Sequence, residues 1–143
     1  MTAPFNERTA MRAFILRVPQ ALPDVLVFER PIVNATATNE RGATWRVRTG
    51  VPGMSDLYVV ASGGRHVEIE TKALRGVLAT AQQAWRLRCT ELAIPHLVLR
   101  VGKGETLEAC VNRWVESLRK VLVTQEIELP DDEPQRVSTV GPY

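Results

Sequence analysis

Met11, Phe14, Ile15 and Val18 recur at the three- and four-residue spacing of one helical face. Asn6 stands where a helix cap is favoured, so the pattern predicts a helix through about Arg17, stopped near Pro19. Val25-Leu26-Val27-Phe28 is a short apolar run that reads as a strand, whereas Pro31 to Ala43 is polar and aperiodic and predicts a long loop or irregular hairpin. Trp45-Arg46-Val47-Arg48 alternates as a half-buried strand does. Two more strands follow, Leu57 to Ala61 and Arg65 to Lys72, joined across Gly63-Gly64 by a turn of the hairpin kind. In the second of these, Glu68, Glu70 and Lys72 share one face while Val67 and Ile69 take the other. The period then lengthens. Leu78, Ala81, Trp85 and Leu92 mark a helix from Leu78 to Ala93, ended by Pro95, and His96 to Val101 is a mostly apolar buried strand. Leu107, Val111, Trp114, Leu118 and Val121 form the stripe of a last helix reaching about Leu122. The order α-β-β-β-β-α-β-α predicts an α/β fold with a mixed central sheet flanked by helices.

At 143 residues the chain is expected to form one domain over residues 1–122, followed by an acidic, proline-containing tail over residues 123–143. No apolar run approaches a membrane span and no signal-peptide pattern opens the chain, so a cytoplasmic protein without membrane contact is expected. Cys89 and Cys110 lie far apart on predicted helices, which favours buried free thiols over a disulfide or zinc site. The net charge of +2 conceals an asymmetry, because residues 1–122 hold 17 basic against 11 acidic side chains. A basic body suits a polyanionic partner such as nucleic acid, and is equally compatible with an ordinary charged surface.

Asp56, Glu70 and Lys72 carry the chemistry. Asp56 opens one strand of the hairpin and Glu70 lies near the end of the other, with Lys72 two positions beyond it on the same face. Two carboxylates near each other and a lysine suit a hard divalent cation and an activated water, the equipment for hydrolysing a phosphodiester. The chain has no GxSxG, HExxH or Walker motif and no complete dinucleotide fingerprint, so those enzyme classes are set aside.

Gly53-Met54-Ser55-Asp56, then Glu70-Thr71-Lys72, then Gly76 and Gln82 resemble the PD-(D/E)XK nuclease superfamily, and within it the VRR-NUC group of small phage and bacterial nucleases. The resemblance covers roughly Glu7 to Val101 and departs from the pattern at Ser55-Asp56, where Pro-Asp is usual. It implies a restriction-endonuclease-like core and a Mg²⁺- or Mn²⁺-dependent endonuclease acting as a homodimer on structured or branched DNA, as small phage enzymes of this group do. It implies Asp56, Glu70 and the Thr71 carbonyl as metal ligands, Lys72 orienting the attacking water, and Gln82 positioning the water or the lysine. Glu7 matches the upstream acidic residue, with Glu29 as its rival.

Each residue also has a plainer role. Asp56 could begin a strand after a turn, Glu68 to Lys72 could be the solvated face of an edge strand, and Glu7 is favoured by the helix dipole alone. Trp85 and Trp114 lie on apolar stripes and are expected in the core. Arg46, Arg48 and Arg65 are candidate phosphate contacts flanking the acids, with Lys103 in the Gly102-Lys103-Gly104 turn as a fourth. The alternative to a DNA endonuclease is a nuclease-like fold that only binds nucleic acid or a protein; hydrolysis of RNA or small phosphate esters would use the same chemistry.

Overall fold

The computed structural model describes residues 4–31, 34–48 and 51–128. Helix α1 spans Glu7–Ala21, and the Asn6 side chain caps it by accepting from the Thr9 amide at 2.9 Å. It runs four residues beyond the predicted end at Arg17. Pro19 sits in the last turn at the cost of the one hydrogen bond its missing N–H would make, and the Leu22 amide still reaches the Val18 carbonyl.

Strands β1 (Val25–Glu29), β4 (Leu57–Ala61), β5 (Arg65–Lys72) and β6 (His96–Arg100) form one sheet in the order β1-β4-β5-β6. The first two pairings are antiparallel and the β5–β6 pairing is parallel, so the sheet is mixed. The β4–β5 connection is a short turn over Ser62–Gly64, whose Gly63 and Gly64 take φ of 75° and 74°, a region that glycine occupies without strain. Helix α2 (Thr80–Glu91) makes the crossover from β5 to β6, and helix α3 (Leu107–Glu128) follows β6.

The segment predicted as loop or hairpin forms strand β2 (Asn34–Thr38), which pairs antiparallel with β3 (Thr44–Arg48) as a separate two-stranded ribbon. There are thus five strands before α2, one more than predicted. The Ala-Thr alternation of β2 carries no core-facing signal, and its pairing with β3 defines it as a strand.

The core lies on one face of the main sheet. Ala10, Phe14 and Val18 of α1 and Cys110, Trp114 and Leu118 of α3 pack there against Leu57, Val59, Val67 and Ile69. Phe14 and Trp114 meet edge to face with ring centroids 6.0 Å apart, and the Trp114 indole N–H donates to the Arg100 carbonyl at 3.0 Å. Both cysteines are buried free thiols, as expected. Trp85 is not a core residue: half-buried, it donates its indole N–H to Ser55 Oγ at 2.9 Å.

Helix α3 also continues past Leu122, crossing the boundary expected between body and tail. The added turn is tethered, because Gln125 Nε2 donates to the His66 carbonyl and Arg65 Nη1 to the Leu122 carbonyl. The rest of the expected tail lies outside the described residues. Among the described residues, no helix is long and apolar enough to cross a membrane.

Truncating the buried indole removes both its packing and its hydrogen bond. Trp114→Ala should lower unfolding stability by roughly 3–5 kcal/mol, read from urea denaturation at neutral pH.

Candidate active site

The strand register gathers the acidic residues at one end of the sheet. Asp56 directly precedes β4, Leu57 lies opposite both Glu29 of β1 and Ile69 of β5, and Glu70 follows. Strand β5 is interior to the sheet, and both its faces are covered, because Glu68 and Glu70 on one and Thr71 on the other are all buried. This rules out the solvated edge-strand alternative for Glu68 and Glu70. Glu68 instead pairs with Arg30, Oε1 to Nη2 at 2.6 Å, and Arg30 lies over the Tyr58 ring at 4.6 Å.

Alternation along β5 divides the site between the two faces of the sheet. On the α2 face, Gln82 links Glu70 to Lys72. Its Nε2 donates to Glu70 Oε1 at 2.6 Å, and its Oε1 accepts from Lys72 Nζ at 2.8 Å. The same Oε1 accepts from the Ala79 amide at 2.9 Å, so the helix start and the side-chain bridge fix one another. Gln83 does not share this role; its Nε2 donates to the Leu78 carbonyl. On the α1 face, Thr71 Oγ1 lies 2.9 Å from Glu7 Oε1 and 3.2 Å from Asp56 Oδ2, and the Thr71 amide donates to Asp56 Oδ2 at 3.2 Å. Asp56, Glu7 and Glu29 line a cleft of about 740 Å³, together with Arg8, Thr71 and Gly102. Glu7 and Glu29 thus both reach the cleft, and Glu7 is the one hydrogen-bonded to Thr71.

Glu70 is electrostatically exposed to the consequences of this crowding. Its Oε2 is buried and has no hydrogen-bond partner among the described residues, and Lys72 Nζ stands 3.8 Å from Oε1. Burial first, and the neighbouring Asp56 charge second, push the Glu70 carboxyl up to about 8, against the partial relief that Lys72 gives. Among the described residues, no group of three or more His, Cys, Asp and Glu side chains forms a ready-made metal cage.

Two groups support the site from outside it. Gly53, at φ 79°, packs against the first turn of α2; a Cβ there would overlap the Ala81 carbonyl group and stand 2.6 Å from the Gln82 amide. Arg30 donates to the Ser55 carbonyl at 3.2 Å and steadies the chain just before Asp56. Both are set by contacts between segments distant in sequence.

The basic candidates are dispersed. Lys103 is exposed in the turn after β6, next to the cleft-lining Gly102. Arg46 is exposed on the ribbon, and the Arg48 side chain lies outside the described residues. Arg65 does not flank the acids: it begins β5 and lies about 23 Å along the strand from Lys72. Its guanidinium bonds Ser62 and the Leu122 carbonyl.

Comparison with known proteins finds no matching family model, curated protein or solved structure. The candidate site therefore rests on its own geometry.

Because the folded Glu70 carboxyl holds its proton more tightly than the unfolded one, whose ordinary value is 4.5, unfolding releases a proton between those values. Stability of the metal-free protein should accordingly fall as pH rises from about 5 to 8. Glu70→Gln should flatten that decline, measured as the melting temperature across this range. In a separate measurement, Gly53→Ala should lower the melting temperature by several degrees, as displacement of the α2 start at a cost of about 1–3 kcal/mol requires.

Proposed function

We propose that the protein is a divalent-metal-dependent phosphodiesterase acting on DNA, an endonuclease of the PD-(D/E)XK type most like the VRR-NUC group. The observation that carries this reading is the Glu70–Gln82–Lys72 chain beside Asp56, which holds two carboxylates and an ammonium together at one sheet end. The mixed sheet, with its antiparallel hairpin followed by a helical crossover to a parallel strand, supports the same family resemblance.

The residues suit a hard cation. A buried carboxylate oxygen without a hydrogen-bond partner, next to a second carboxylate, is a pair of oxygen donors short of positive charge. Asp56 and Glu70 would hold the ion, with the Thr71 carbonyl as a neutral ligand and Glu7 contributing through water or to a second ion. Mg²⁺ tolerates one or two protein carboxylates because it keeps several waters and takes substrate phosphate oxygens. When bound, the ion supplies charge neutralisation at the phosphate and a more acidic water.

The chain's own groups do the rest. Lys72 directs one N–H to Gln82 Oε1, and its remaining N–H bonds serve the attacking water and the negative charge that grows on the phosphate oxygens. Gln82 fixes the lysine by accepting from it while donating to Glu70, so the ammonium stands at 3.8 Å from the carboxylate, within ion-pair range and beyond hydrogen-bond distance. Glu7 and Asp56, converging on the Thr71 hydroxyl, leave the cleft open on the α1 side for a backbone phosphate. As a homodimer the protein would present two such sites to two strands.

The test is cleavage of labelled four-way junction, flap and linear duplex DNA in Mg²⁺ or Mn²⁺. Wild type should cut in a metal-dependent way, and Asp56→Ala and Lys72→Ala should each slow cutting by roughly 100-fold or more. Gln82→Ala, which leaves both reacting groups in place, should cost about 10- to 100-fold. DNA binding without metal-dependent cutting, indifferent to these substitutions, would move the assignment to a non-catalytic binding module.

A further inference from the structure

The β2–β3 ribbon is a sheet of its own, separate from the main one. Thr36, Thr38, Thr44, Trp45 and Arg46 are all exposed, with Trp45 showing 49% of its surface. A two-stranded ribbon is marginal by itself in water, so one that packs little against the rest of the fold gains stability from a partner. Its position says which. The chain leaves β1 after Glu29, which lines the acidic cleft, and returns just before Asp56. At this root the Arg30 amide donates to the Asp56 carbonyl at 2.9 Å, which ties the outgoing chain to the returning one. The ribbon is therefore an arm anchored at the mouth of the candidate active site.

Its chemistry selects the partner. Residues 34–48 carry three arginines and one acid, Glu40. Arg41 at the tip and Arg46 on β3 are exposed, and among the described residues neither has an ion-pair partner. The register sets Thr36 opposite Arg46 and Thr38 opposite Thr44, which gives one face of small polar residues and a guanidinium; Ala37 opposite Trp45 belongs to the other. The tip is rigid: Asn39 Oδ1 accepts from the Arg41 and Ala43 amides at 2.9 and 3.0 Å. Two strands spaced about 4.8 Å apart, with threonines lining one face beside Arg46, fit the major groove of B-DNA, about 12 Å wide, and exceed the minor groove at about 6 Å.

We infer that the β2–β3 ribbon is a duplex-DNA-binding arm that enters the major groove beside the phosphate held at the cleft. Arg41 and Arg46 make its charged contacts. The inference rests on the DNA-hydrolase reading for the nature of its partner, and it predicts B-form DNA over duplex RNA, whose major groove is too narrow and deep for a ribbon.

The experiment is a fluorescence-anisotropy titration of a labelled DNA duplex with the full chain in Ca²⁺, repeated over a range of salt. The wild type is compared with Arg41→Ala/Arg46→Ala, in which both removed side chains are exposed, and unchanged thermal melting verifies the fold of the variant. The expected result is about tenfold weaker binding and a salt slope smaller by about two. Methylation of guanine N7, which lies in the major groove, should block wild-type binding on one side of the cut, and a duplex RNA of the same sequence should compete poorly. Unchanged affinity and slope in the variant would overturn the inference. So would indifference to N7 methylation, or loss of a stable dimer at unaltered DNA affinity, which would assign the ribbon to a second copy of the chain. Ribbon-dependent duplex binding by a protein that never cuts DNA would leave the inference standing and overturn the hydrolase reading instead.

Discussion

Asp56 and Glu70 are held close together at one end of a sheet whose strands leave them little room to part. Each is fixed by backbone: Asp56 by the start of β4 and by the Thr71 amide, Glu70 by its place in an interior strand. Like charges at that range, with one of them buried, favour a bound proton at ordinary pH, and a divalent cation can take the proton's place. The other features of the site follow from this repulsion. Lys72 offsets part of it, Gln82 keeps Lys72 in place without letting it neutralise Glu70 outright, and Gly53 lets α2 approach closely enough for Gln82 to reach.

The packing on the other face makes such an arrangement sustainable. Phe14, Trp114 and Leu118 supply the apolar burial that a charged, crowded sheet end cannot. The Trp114 hydrogen bond to the Arg100 carbonyl ties α3 to the end of β6, the neighbour of Lys72 in the parallel pair. Stability therefore comes from the α1–α3 face, which lets the rim carry an unsatisfied carboxylate oxygen.

Much of the sheet was legible because β4, β5 and β6 carry strong local patterns. The face shared by Glu68, Glu70 and Lys72 followed from period two alone, and Gln82 was singled out by the resemblance to the PD-(D/E)XK pattern. The burial of that face was not legible: it depends on β6 and α2 arriving from later in the chain. The same holds for the Arg30–Glu68 pair and the half-buried Trp85, which are tertiary contacts without a sequence period. Strand β2 escaped because alanine and threonine give no apolar alternation. The far end of α3 escaped because its extra turn is held by His66 and Arg65, residues some sixty positions earlier by contact rather than by propensity. Arg65 looked like a site residue for the same reason: nearness to Lys72 in sequence is distance along an extended strand.

Calorimetric titration of Mn²⁺ into the metal-free protein near pH 7 asks whether Asp56 and Glu70 together hold one cation. Run in two buffers of different ionisation enthalpy, it should show saturable binding with proton release, both abolished by Asp56→Asn and the proton release abolished by Glu70→Gln. Absence of Mn²⁺ binding in wild type, or binding that both substitutions leave intact, would contradict the account.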